Sequence, residues 1–160
     1  DPRTNSISLS DSVYGSTSVA AIGVAAHESG HAVQYAEGYA PLKFRNAIVP
    51  VTQFGAKLST PLVILGLILS IYPLAYAGII LFGAVVVFQL VTLPTEFNAS
   101  RRALAVLEEG NYLDGEELRG AKKVLSAAAM TYVAALFMSL MSLLRLIVIV
   151  SGSKNSRNRR

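Results

Sequence analysis

The sequence predicts a mainly α-helical, polytopic membrane protein in which a polar segment with a histidine motif precedes a transmembrane hairpin and a third transmembrane helix. Three observations carry this reading. Hydrophobic residues make up 52% of the 160 positions and charged residues only 15%, a balance unusual for a soluble protein. Leu58 to Thr95 contains no charged residue, and neither does Val124 to Leu144. A bilayer core about 30 Å thick needs roughly 20 apolar residues in helical form, so these runs are long enough to span it three times.

The elements follow in order. Asn5-Ser6-Ile7-Ser8-Leu9-Ser10 alternates polar and apolar side chains, the pattern of a short half-exposed edge strand. Ser16, Thr17 and Ser18 offer N-cap oxygens for a helix through Val19, Ala20, Ile22 and Val24 to about Tyr35, with Gly38 as its stop. The long uncharged run holds Tyr72-Pro73-Leu74-Ala75-Tyr76, and the proline divides it into arms Leu58–Tyr72 and Ala75–Leu93. Asp114 and Glu117 have capping-box spacing, so a helix begins there and runs into the third span, which Ile147 to Val150 complete while Arg145 snorkels to the interface. The organisation is therefore 1–57 for the strand and motif helix, 58–93 for the hairpin, 94–123 for a polar connection, 124–150 for the third span and 151–160 for a basic tail. The hairpin returns the chain to its starting side, so the two polar segments share one face of the membrane.

Charge and composition exclude several classes. The formal net charge is +4, and the tail Lys154, Arg157, Arg159 and Arg160 has no interleaved aromatics; it suits anionic lipid headgroups, not nucleic acid. With no cysteine, neither a disulfide framework nor a thiolate zinc site is available. The chain opens Asp1-Pro2-Arg3 without a signal-peptide pattern, and reads as a fragment of a longer protein.

The chemistry concentrates in His27-Glu28-Ser29-Gly30-His31. On a helix the i, i+4 spacing places both imidazoles on one face, within reach of one metal ion. A glutamate directly after the first histidine is the general base of HExxH zinc peptidases, which makes this a zincin-like motif helix and peptide-bond hydrolysis with Zn2+ the reaction it suits. A catalytic zinc keeps three protein ligands, and both histidines of the chain are already used. The third is therefore a carboxylate, and Glu96 stands out because it ends the uncharged run where the hairpin re-emerges; the competing reading of Glu96 is an interfacial charge at a helix end.

The segment Ala26-His27-Glu28-Ser29-Gly30-His31-Ala32-Val33-Gln34, followed after the hairpin by Leu93-Pro94-Thr95-Glu96-Phe97-Asn98-Ala99-Ser100-Arg101-Arg102-Ala103-Leu104, resembles the YugP-type membrane-bound zinc metallopeptidases of bacteria. Gly120-Ala121-Lys122-Lys123-Val124-Leu125 and the opening Asp1-Pro2-Arg3 look like the same family, so the resemblance covers nearly the whole chain. It implies zinc on His27, His31 and Glu96, Glu28 as general base, a peptide or protein substrate, and an upstream membrane helix beyond the residues present here. More distantly, Glu96-Phe97-x-Ala99 resembles the Glu-Phe-x-Ala-Asp segment of CAAX-processing and heat-shock membrane peptidases, whose aspartate orients a zinc-bound histidine. Ser100 stands in that place, so the support of the histidine falls to a weaker serine hydroxyl, to Asn98 or to another group.

Other roles are open. Arg101, Arg102, Tyr14, Tyr35 and Tyr112 are the candidates for stabilising an oxyanion, and the expected strand is a place for a substrate peptide to add. Leu113-Asp114-Gly115 matches the segment in which site-2 intramembrane proteases keep their third ligand, but its acidic neighbours and capping role argue against ligation. Two alternatives therefore stand beside the endopeptidase: a site-2-type intramembrane protease, and a non-hydrolytic zinc-containing membrane adaptor. Basic residues crowd the motif side, among them Lys43, Arg45, Lys57, Arg101, Arg102 and Arg119, which predicts a cytoplasmic active site. The sequence names no particular substrate and leaves the oligomeric state open.

Overall fold

The computed structural model describes Thr4 and Ser6–Asn158, with the side chains beyond Asn155 left aside. Among the described residues five helices follow one another: α1 Asp11–Tyr14, α2 Val19–Ala36, α3 Ala40–Ile68, α4 Tyr72–Glu109 and α5 Gly115–Asn158. Among the described residues there is no strand, which corrects the expected edge strand. Ser6–Ser10 has no regular structure, and Asn5 lies outside the described residues. Alternation prepares a segment for a sheet, but a strand exists only when another strand satisfies its backbone groups.

Helix ends are set by local chemistry. The Ser18 hydroxyl accepts the Ala21 N–H at 3.2 Å and caps α2. At the other end of α2, Gly38 is left-handed with φ 68, while Gly38 N–H donates to Tyr35 O and Tyr39 N–H to Gln34 O. Those two bonds form a Schellman stop. Helices α3 and α4 end the same way without glycine at the turn: Ser70 has φ 59 with Ile71 N–H donating to Gly66 O, and Asn111 has φ 49 with Tyr112 N–H donating to Leu107 O. Helix α5 opens on Asp114, whose Oδ1 accepts the N–H groups of Glu116 and Glu117 at 2.9 Å while Glu117 Oε2 accepts the Asp114 N–H. This is a complete capping box.

The reversal between α3 and α4 lies at Leu69–Ile71, ahead of Pro73. Pro73 sits in the first turn of α4, where a missing N–H costs nothing. Pro50 and Pro61 lie inside α3 and Pro94 inside α4; α3 begins at Ala40, so the first arm is longer than its uncharged run.

Contacts divide the chain into two units, Arg45–Val91 with Ala134–Arg160, and Asp1–Phe44 with Thr92–Val133. The first of these is built on Val63, Ala75 and Val150, flanked by Leu67, Tyr76, Ile79 and Leu146. Small residues let α3 and α4 meet there at backbone distance: a Cβ on Gly66 would lie 2.4 Å from Ala75 N, and one on Gly78 2.6 Å from Ser59 O. Close backbone approach through small residues is how helices pack in lipid, where apolar burial supplies no driving force. Three helices, α3, α4 and α5, are long and apolar enough to cross a membrane. Only 11% of the most apolar window of α5 is buried, so Phe137, Met138, Leu144 and Val148 present apolar surface outward, as a lipid-facing helix does.

The other unit holds α2, the C-terminal part of α4 and the N-terminal part of α5, with Ala99, Ala103, Leu107, Ala121 and Leu125 buried in it. Gly23 of α2 rests in ordinary contact on Ala121 and Leu125. All of the candidate site lies in this unit.

Candidate metal centre

Helix α2 carries His27 and His31 one turn apart, with their rings edge to face at a centroid separation of 4.8 Å. Helix α4 brings Glu96 to them, 69 positions after His27. Its Oε2 lies 3.3 Å from His27 Nε2 and 3.4 Å from His31 Nε2. The two helices come this close because Gly30, inside the motif, has no side chain: a Cβ there would stand 2.6 Å from the Ala99 carbonyl oxygen.

The far nitrogens of both rings are also engaged. His27 Nδ1 lies 3.1 Å from Ser100 Oγ, and His31 Nδ1 lies 2.9 Å from Gln34 Oε1. Gln34 is fully buried, and its Nε2 donates to Thr95 O and to Asn98 Oδ1, each at 2.9 Å. Asn98 Oδ1 also accepts from Arg102 Nε at 2.8 Å, and Arg102 pairs with Glu37 at 2.7 Å. The hydrogen bond from Arg102, with its positive charge, holds the Glu37 carboxyl below its ordinary value.

The group fits a zinc ion. Ligand bonds of about 2.0–2.1 Å at a tetrahedral angle put neighbouring ligand atoms about 3.3–3.4 Å apart, and the two imidazole–carboxylate separations are 3.3 and 3.4 Å. All three ligand atoms lie within 4.8 Å of one another. Glu96 is only 2% exposed, and a carboxylate so buried calls for positive charge beside it. Each imidazole is oriented through its other nitrogen, as metal-ligating histidines are.

The family model described as "Putative neutral zinc metallopeptidase" matches residues 1–151. The chain belongs to this family. It is also 46% identical over 155 residues to the "Putative membrane protease YugP" of Bacillus subtilis (strain 168), covering 97% of this chain and 69% of that protein. No solved structure matches it.

Against this zinc metallopeptidase background, the remaining candidates sort by their contacts. Glu28 is exposed on α2, and no hydrogen bond or ion pair is found for it among the described residues. Arg102 is occupied by Glu37 and Asn98, whereas Arg101, Tyr14, Tyr35 and Tyr112 are exposed. Asp114 is spent on capping α5 and is no member of the metal group, which removes the feature that favoured a site-2-type protease. Among the described residues the group has three members, not the four that close a structural site. Sequence reasoning weighed Ser100 and Asn98 as supports of a histidine and missed Gln34. Its signal was present: Gln34 lies three residues after His31, on the same helix face.

Proposed function

We propose that the chain is a membrane-bound zinc endopeptidase in which His27, His31 and Glu96 hold the metal and Glu28 is the general base. The observation that carries this reading is the meeting of Glu96 Oε2 with both Nε2 atoms at 3.3 and 3.4 Å. Zinc held there supplies Lewis acidity, which polarises a scissile carbonyl and lowers the pKa of water to about 7. The chain's own residues do the rest. Two neutral imidazoles and one carboxylate bring a single negative charge to a divalent ion and leave a net positive site for a developing oxyanion. Glu28 follows His27 directly and has no competing partner among the described residues, so its carboxylate is available to accept the proton of the attacking water and return it to the leaving amine. Peptide or protein is the substrate class, and the motif-bearing unit faces the cytoplasm, in line with the basic residues around it.

The test joins metal analysis of the purified full chain to cleavage of an unbiased peptide library, with Glu28→Gln as control. One zinc per chain, and turnover that disappears in Glu28→Gln without loss of zinc, is the expected result. Zinc-independent cleavage, or a chain that holds no zinc, overturns the proposal. Reporter fusions after Arg160 read the orientation, and a cytoplasmic C-terminus reverses it.

A further inference from the structure

We infer that the two histidines of the centre are unequal: Gln34 locks His31 in a single tautomer, whereas Ser100 leaves His27 free to exchange between two. The inference rests on the metal reading for its consequence, but its premise is a chain of hydrogen bonds whose directions are forced.

Arginine Nε carries a hydrogen and only donates, so Asn98 must present Oδ1 to Arg102, at 2.8 Å. The same oxygen lies 2.9 Å from the Gln34 amide, which must therefore present its NH2 group there. The second neighbour of that NH2, the Thr95 backbone carbonyl at 2.9 Å, is an obligatory acceptor and demands the same orientation. Gln34 Oε1 is left for His31 Nδ1 at 2.9 Å, and an amide oxygen only accepts. The neutral His31 ring therefore carries its hydrogen on Nδ1, and its Nε2 lone pair points toward the carboxylate at 3.4 Å. His31 is prepared for a cation before one arrives.

His27 has no such instruction. Its Nδ1 faces the Ser100 hydroxyl at 3.1 Å, and a hydroxyl both donates and accepts. Without metal, the Ser100 O–H donates to Nδ1 while His27 Nε2–H donates to Glu96 Oε2 at 3.3 Å, which gives the buried carboxylate a donor. With metal, the hydrogen must leave Nε2 and one must reside on Nδ1, now donating to Ser100 Oγ. One proton leaves the ring and one returns, so its charge is unchanged. Gln34 and Ser100 are thus positioning residues, one rigid and one adaptable, and the adaptable one lets His27 serve Glu96 Oε2 as a donor without metal and as a ligand partner with it.

The tautomers are read directly by long-range 1H–15N correlation on 15N-histidine-labelled full chain in detergent micelles. A tag without histidine is needed, and the pH is set where the 15N shifts themselves report both rings neutral. The chain has two histidines, and a His27→Asn sample assigns them. In metal-free protein His31 should show the Nδ1–H form alone and His27 the Nε2–H form or a mixture; with zinc both should show Nδ1–H. Gln34→Met should release His31 into a mixture and weaken zinc binding about 10–100-fold in chelator competition. Ser100→Asp should hold His27 as Nδ1–H without metal and tighten zinc binding. Asn98→Asp, which keeps an acceptor for Gln34, should leave His31 unchanged and controls for disturbed folding. Metal-free His27 already fixed as Nδ1–H, or a mixture at His31 in the unaltered chain, overturns the inference while leaving the peptidase reading intact. The described tautomers in a chain that never binds zinc overturn the peptidase reading alone.

Discussion

Gly30 and Ala99 touch backbone to backbone: a Cβ on Gly30 would stand 2.6 Å from the Ala99 carbonyl oxygen and 3.3 Å from its Cα. Helix α2 thereby approaches α4 closely enough for both imidazoles to share one carboxylate oxygen. Gly30→Ala should cost about 1–3 kcal/mol, as overpacking does, and weaken zinc binding at least about tenfold, on the order of 1.4 kcal/mol. Because the opposing atoms are main chain, Ala99→Gly should not rescue it. Unchanged zinc affinity in Gly30→Ala, measured by chelator competition, would show that the contact does not set the ligand geometry.

Glu96→Gln and Glu28→Gln separate holding the metal from moving the proton. The amide at 96 lacks the charge that offsets the cation, so zinc content and turnover should fall together. The amide at 28 should leave zinc bound and lower turnover by roughly 10²–10⁴-fold or more, as loss of a general base does. Full zinc and near-normal turnover in Glu96→Gln would move the third ligand elsewhere.

Asp114 should matter to stability alone. Its Oδ1 caps α5 through two N–H groups, so Asp114→Ala should cost about 1 kcal/mol, visible as a lower unfolding midpoint, while zinc stoichiometry stays at the unaltered value. Loss of zinc in this variant would revive a ligand role for Asp114.

Ser70 occupies the left-handed turn between α3 and α4 with φ 59. A residue with a Cβ pays roughly 1–2 kcal/mol for that conformation. Ser70→Gly should recover part of this, offset by the greater freedom of glycine in the unfolded chain, and raise the thermal midpoint in micelles. A lowered midpoint would mean that the hydroxyl contributes more than the strain costs.

Protonation of Glu37 should disconnect the outer end of the hydrogen-bond chain. Its pKa lies below the ordinary 4.5 because Arg102 bonds the ionised form. A depressed carboxyl contributes stability that is present above its unfolded value and is lost as pH falls through the folded one. Carboxyl-carbon NMR should place its midpoint below 4.5, and Arg102→Met should return it to the ordinary range. Glu37 is exposed and Arg102 half-buried, so solvent screens the pair and the effect on overall stability is small.

Features that depend on neighbours in sequence were legible without a fold. The order His27-Glu28-x-x-His31, the Gly38 stop, the Asp114–Glu117 cap and three apolar runs are each local, because helix periodicity, capping and span length act over a few turns. The strand expected around Ser6–Ser10 failed for the complementary reason: pairing is non-local, and alternation carries no partner. The meeting of Glu96 with His27 joins residues 69 positions apart, Gln34 reaches Asn98 across 64, and Ser100 reaches His27 across 73. Such distances close only when α2 lies against α4. Whether a buried glutamine or a serine hydroxyl supports a given imidazole is then a matter of rotamers in a packed interior, which spacing along the chain does not encode.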